Sequence, residues 1–262
     1  MFEFDNVVDK VKYLCYNKFI GVAMKYLLVV SYDGTNFAGF QKQKKGERTI
    51  QEELEKALKI LLKQDVNVVA SGRTDSGVHA YNQVCHIECD EIKDFYKFVR
   101  SMNGILPADV KVKSIQETKL HARFSAKRKT YLYKMYVSDI DLPLYDNFLR
   151  LPTSINFEYM KEAGELLIGE HDFANFCASG SEVQSTIRTI YNIKWKKVGE
   201  ELHFYITGNG FLYKMVRNIV GLLVELGKGK INYKQFKDYA FGKLDKKFTA
   251  PARALYLYNV KY

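Results

Sequence analysis

The chain has 262 residues, 47% of them hydrophobic, and a formal net charge of +10. That length fits one large domain or two small ones with ample apolar material for a core, and no run of about 18 apolar residues reads as a membrane span. The positive balance favours a polyanionic partner, nucleic acid first, and 19 Tyr and 17 Phe are available for stacking on bases. Residues 1–23 mix charged positions (Asp5, Asp9, Lys10, Lys12) with apolar ones and contain no uninterrupted apolar core of a secretory signal. They are expected to form a loosely held N-terminal extension, or else Met24 is the true start. Lys25 to Tyr32 reads as a buried strand, and Asp33-Gly34 as a turn. Phe37 to Lys45 is a basic, amide-rich loop with aromatics. Thr49 with Glu52 forms a capping-box pattern, opening a helix whose apolar positions run from Ile50 to Leu62.

A short β-branched run, Val66 to Val69, leads into Ser71-Gly72-Arg73-Thr74-Asp75-Ser76-Gly77-Val78-His79-Ala80. A strand that empties into a glycine-bracketed loop can present a side chain at a sheet edge where a substrate reaches it. Gly72 and Gly77 allow positive φ or close backbone approach. If the stretch stays extended, Arg73 and Asp75 share a side, and a guanidinium beside a carboxylate favours its ionised form. By itself the string also reads as an ordinary turn with Asp75 closing an Asx-turn.

A strand from Ala80 to Glu88, a helix over Phe95 to Leu106 and a strand from Val110 to Gln116 complete a β-α-β-β-α-β order, the split βαβ pattern. Cys85, Ile87 and Cys89 alternate onto one strand face, a buried stripe, and no second CxxC-type pair exists, so no metal site is expected. The sparse cysteines (Cys15, Cys85, Cys89, Cys177) suit a reducing cytosol.

His121 to Lys129 is a basic loop, and Tyr131, Tyr133 and Met135 alternate as in a strand. Leu151 to Asn156 connects to a helix carrying Phe157, Met160, Ala163, Gly164 and Leu167, which His171-Asp172-Phe173 terminates. Thr189 to Val198 and Leu202 to Thr207 alternate as strands. Gly208-Asn209-Gly210 then turns into an apolar helix from about Phe211 to Leu226, ended by Gly227 and Gly229. A short helix over Tyr233–Phe241 precedes a last strand, Leu255 to Tyr262. The expected fold is therefore α+β. Two related split-βαβ (ferredoxin-like) halves, residues 24–122 and 123–262, share a mostly antiparallel sheet. Helices would cover one face and a basic RNA-binding cleft would cross the other.

Several separated segments together resemble the tRNA pseudouridine synthase A family. They are SYDGTNFAGFQKQ (31–43), SGRTDSGVHA (71–80), HARFSAKRKTYLY (121–133), GEHDFANF (169–176), ITGNGFLYKMVRNIVGLL (206–223) and APARALYLYNVKY (250–262). The resemblance covers residues 24–262. It departs where the family usually has alanine for Ser76, often tryptophan for Phe40, and arginine for Lys129 or Thr130.

The resemblance implies an isomerase that converts uridine to pseudouridine at positions 38, 39 and 40 of the tRNA anticodon stem-loop. The family's catalytic aspartate matches Asp75, the tyrosine that stacks on the uracil and serves near C5 matches Tyr131, and the arginine set against the aspartate matches Arg217. Asp75 could attack as a nucleophile or take a ribose proton. Arg73 could hold Asp75 or reach the RNA, the second being preferred. Lys42, Lys44, Lys45, Arg123, Lys127, Arg128 and Lys129 are candidate phosphate contacts. His79 and His171 read as structural.

The reaction exchanges one bond for another without redox change, so no metal or organic cofactor is expected. No P-loop Gly-Lys-Ser/Thr string implies nucleotide hydrolysis. The family also implies a homodimer in which one tRNA touches both subunits, and a cytoplasmic location.

Overall fold

The computed structural model describes residues 23–43, 46–180, 184–242 and 248–262. All of the expected N-terminal extension except its last residue, together with Cys15, Lys44 and Lys45, lies outside the described residues. The strands are β1 (Met24–Tyr32), β2 (Val69–Ala70), β3 (His79–Cys89), β4 (Val110–Glu117), β5 (Arg128–Val137), β6 (Leu149–Leu151), β7 (Gly169–Asp172), β8 (Ile187–Val198), β9 (Glu201–Gly208) and β10 (Leu255–Lys261). The helices are α1 (Ile50–Leu62), α2 (Phe95–Ile105), α3 (Phe157–Glu165), α4 (Met215–Gly227) and α5 (Tyr233–Phe241).

One sheet runs β4-β1-β3-β10-β5-β9-β8-β7, with β2 added to β3 and β6 added to β5. Within it the order β4-β1-β3-β2 repeats as β10-β5-β9-β8, with antiparallel pairing at each step. Each set is the split βαβ arrangement. The two sets meet where β10 pairs in parallel with β3 through Tyr256↔His79 and Leu257↔Ala80. This junction is available because β2 spans two residues and pairs only with His86 and Cys85, leaving the start of β3 open.

Directly paired residues share a sheet face, so the register tells which side each element uses. Ile193, Ile206, Tyr131 and Leu257 form one row, and Trp195, Phe204, Tyr133 and Leu255 the next. These rows face α3 and α4: Phe157 packs edge-on to Trp195 at 5.2 Å, and Phe204, Ile206, Ile219 and Leu223 are fully buried together. In the N-terminal part Tyr26, Leu28 and Val30 pair with Ile87, Cys85 and Gln83. They face α2, where the Tyr26 ring meets Phe95. Cys85 and Cys89 belong to this buried stripe, and burial pushes the Cys89 thiol up to about 11.

Local differences from the sequence reading have local causes. Residues 169–172 form β7 rather than a helix terminus, because β8 offers them four paired positions from Ile190 to Ile187. Helix α4 starts at Met215, not near Phe211, because Lys214 sits at φ 58, a left-handed conformation that cannot propagate a right-handed helix. The capping pattern at Thr49 is half filled. Thr49 Oγ1 accepts from the Glu52 N–H, while the Glu52 carboxylate pairs with Lys56 at 3.2 Å.

Candidate active site

Asp75 sits on a loop held from beneath and from the side. Beneath it, the Ser71 hydroxyl donates to Oε1 of buried Gln83 at 2.8 Å, and the Gln83 amide donates to the Gly72 carbonyl at 2.9 Å. Thr74 Oγ1 and the Tyr32 hydroxyl share a 2.8 Å hydrogen bond. From the side, the loop after β1 forms a mould. The Phe40 N–H donates to the Thr74 carbonyl at 3.1 Å, and the Ser76 hydroxyl donates to the Phe37 carbonyl at 3.0 Å. Gly39 makes this fit possible, since it takes φ +105 and a Cβ there would stand 2.9 Å from the Thr74 carbonyl oxygen. The turn closes when the Val78 N–H donates to the Asp75 carbonyl at 3.1 Å, with Gly77 at φ +75.

The partner of the Asp75 carboxylate comes from 142 residues away. Arg217, in the first turn of α4, places Nη1 3.2 Å from Asp75 Oδ2. Its Nε donates to the Ala250 carbonyl at 2.8 Å, and the Ala250 N–H donates to the Arg217 carbonyl at 3.1 Å. The two side chains are only 14% and 21% exposed, so little solvent screens the pair. Tyr131, 9% exposed, lies on the same sheet face with its ring edge-on to Phe211 at 5.2 Å. Burial pushes its hydroxyl well above the ordinary tyrosine range, and the Asp75 charge adds to the effect. Tyr131 is therefore a neutral phenol close to the carboxylate.

Two positions before Tyr131, and so on the same face, Lys129 donates its ammonium to the Ser71 carbonyl at 2.6 Å. Burial, followed by repulsion from Arg123 and Arg188, pushes that ammonium down to about 8. The other expected contacts separate. Arg73 is exposed and its Nε donates to Gln41 Oε1 at 3.1 Å; the ion-pair partner of Asp75 is Arg217. Lys42 pairs with Glu55 of α1 at 3.5 Å. Arg128 lies three residues from Tyr131, which puts it on the opposite sheet face, and it stacks over Tyr191.

The α+β fold stands as expected, and the placement of the candidate residues is what differs: they do not lie opposite the helices. Asp75, Tyr131 and Arg217 meet on the helix-bearing side, because α4 itself delivers the arginine. His79 is structural in geometry. Its Nδ1 accepts from the Gly34 N–H at 3.1 Å, and its Nε2 faces the Arg253 carbonyl at 2.8 Å. Burial pushes its pKa down, so the nearby Asp33 contact is one to a neutral ring. The sequence reading gave no site role to Arg188, Phe211 or the Ala250 carbonyl, because each contact is made only in the folded chain.

A carboxylate clamped by a cation beside a neutral phenol can act as a nucleophile or as a base toward a substrate that reaches the loop. The tRNA pseudouridine synthase family model matches residues 28–125 and 163–262; these segments hold Asp75 and Arg217, and Tyr131 falls between them. The chain belongs to the tRNA pseudouridine synthase family, a family of isomerases. It is 43% identical over 242 residues to tRNA pseudouridine synthase A of Anoxybacillus flavithermus, covering 89% of this chain and 96% of that one. The Bacillus subtilis protein of the same name is 42% identical over 247 residues, covering 91% and 99%. That of Thermoanaerobacter sp. is 41% identical over 241 residues, covering 90% and 98%. No helix among the described residues is long and apolar enough to cross a membrane.

Proposed function

We propose that the chain converts uridine to pseudouridine at positions 38, 39 and 40 of tRNA anticodon stem-loops, with Asp75 acting at C1′ of the target ribose. The observation that carries the assignment of Asp75 is its ion pair with Arg217 beside the buried ring of Tyr131. The target uridine lies in a stacked stem-loop and must leave its stack to reach a recessed carboxylate. Breaking the N1–C1′ bond leaves C1′ electron-poor. Asp75 then either bonds to C1′ or removes the ribose 2′ proton. The freed base turns and C5 bonds to C1′. The proton lost from C5 balances the proton gained at N1, so the step needs no redox partner.

Arg217 holds the Asp75 carboxylate in one orientation. Tyr131 packs against the uracil as a neutral phenol, and it can take the C5 proton only as its own O–H proton moves on. Arg73 and Arg123, both exposed, contact the RNA backbone. The working unit is a homodimer in the cytoplasm, as the family resemblance implies, and the mass in solution tests the dimer. The central experiment is Asp75→Asn with a purified anticodon stem-loop. Binding is expected to persist and pseudouridine to be absent; product formation by this variant would refute the assignment. Mapping pseudouridine in tRNA from cells lacking this protein tests the positions, since unchanged modification at 38–40 would exclude them.

A further inference from the structure

We propose that Lys129 and Arg188 form a subsite for one backbone phosphate of the RNA beside the catalytic loop, with Lys129 as its half-buried anchor. This rests on the RNA-modifying role proposed above and deepens it, by naming the group that docks next to the target nucleotide.

The geometry starts from the backbone. Lys129 of β5 pairs with Gly208 of β9 on one side and Val260 of β10 on the other. Its side chain points to the helix-bearing face, as does that of Tyr131. The ammonium arrives at the entry of the catalytic loop, 2.6 Å from the Ser71 carbonyl. Gly72 leaves room for it, since a Cβ there would stand 3.0 Å from Nζ. At the Gly208–Gly210 turn, the Arg188 side chain passes within 3.7 Å of where a Gly210 Cβ would lie. Arg188 is steadied by two backbone carbonyls, donating from Nη1 to Ser185 at 2.9 Å and to Ile187 at 2.6 Å.

The electrostatics of this corner are unbalanced. An ammonium drawn partly out of water is normally matched by a carboxylate, because desolvating an unpaired cation is costly. Among the described residues Lys129 has no salt-bridge partner, and the two charges that act on it are arginines. Burial first, and this crowding second, depress its pKa. One carbonyl satisfies one of three ammonium N–H groups and leaves two for a ligand. A phosphodiester supplies both the missing negative charge and the acceptor oxygens. The subsite adjoins the loop that carries Asp75, so phosphate binding there fixes the nucleotide and the loop together. Lys129 is thus a positioning residue and not a catalytic one.

The test uses the full-length protein and its Lys129→Met and Lys129→Arg variants. The probes are anticodon stem-loops with a single methylphosphonate, a neutral phosphate replacement, at each linkage flanking the target uridine. One linkage is expected to weaken wild-type binding about tenfold when neutralised. Lys129→Met is expected to lose about tenfold on unmodified RNA and nothing further at that linkage. Its log Kd against log salt should be flatter by about 0.7, one single-strand phosphate contact. Lys129→Arg keeps the charge and is expected to recover the sensitivity to that linkage.

Removing a half-buried ammonium that has no carboxylate partner should leave the melting temperature of Lys129→Met unchanged or raised. A lowered melting temperature with an unchanged salt slope would show a purely structural lysine and overturn the proposal. Full wild-type sensitivity of Lys129→Met at every linkage would overturn it as well. Wild-type pseudouridine formation is the control that separates the two readings. Its absence would defeat the proposed function, whereas its presence with a silent Lys129 defeats only the phosphate subsite.

Discussion

The Asp75–Arg217 pair makes a quantitative prediction that a double-mutant cycle can decide. At 3.2 Å, two unit charges at an effective dielectric of about 20 attract by about 5 kcal/mol. Desolvation of both groups offsets part of this, and breaking such a pair from one side typically costs about 3–5 kcal/mol. With the side chains 14% and 21% exposed, the lower end of that range applies. Arg217→Met also strips the Ala250 carbonyl of its Nε donor, a further loss of about 1 kcal/mol. We therefore expect about 4 kcal/mol for Arg217→Met in urea denaturation, and about 2–3 kcal/mol for Asp75→Asn, which leaves the guanidinium facing a neutral amide.

The double variant should cost about 4 kcal/mol, not the sum of about 6–7, because the second change removes a group whose partner is already gone. Additivity within about 0.5 kcal/mol would show that the two groups do not interact in solution and that Arg217 does not orient the carboxylate. In the same variants, pseudouridine formation by Arg217→Met should fall by about a hundredfold, the penalty for a misplaced reacting group.

Other outcomes follow from single features. The Lys129 ammonium, held near 8 in the folded protein against an ordinary 10.5, sheds its proton first in the native state, so stability should rise from about pH 8 to 10.5. Urea midpoints across that window should rise in the wild type and not in Lys129→Met. By the same titration kcat/KM should decline above pH 8 in the wild type, and this limb should be missing in Lys129→Arg. Tyr131→Phe keeps the ring and the Asp75–Arg217 pair, so it should fold within about 1 kcal/mol of wild type while turnover, followed by single-turnover assay, drops. Gly39→Ala strains φ +105 and drives a Cβ to 2.9 Å from the Thr74 carbonyl oxygen, so kcat should fall more than RNA affinity. Gly221→Ala would set a Cβ 1.5 Å from the Phe248 carbonyl oxygen, and its melting temperature should collapse while a surface control such as Lys56→Ala stays unchanged.

The chain order of strands and helices was legible because apolar periodicity is local. Tyr131, Tyr133 and Met135 announce their common face within five residues, and all three are buried. The loop around Asp75 was legible for a similar reason, since two glycines and a β-branched run define a strand–turn–strand without reference to anything distant. Short elements were less so. β7 owes its existence to the edge of β8, and no four-residue string encodes its partner.

Face and partner were beyond the sequence. Alternation offered Arg73 as a neighbour of Asp75, but the loop leaves extended geometry and turns Arg73 to Gln41, while Arg217 arrives from the far half of the chain. Arg128 and Lys129 look interchangeable in a basic run, yet adjacent strand positions point to opposite faces, one to Tyr191 and one to the loop that carries Asp75. Residue types and their local spacing thus determined the elements and the chemical groups. Only the tertiary structure decided which charges meet, because contacts between residues 58 or 142 positions apart depend on sheet order and helix placement.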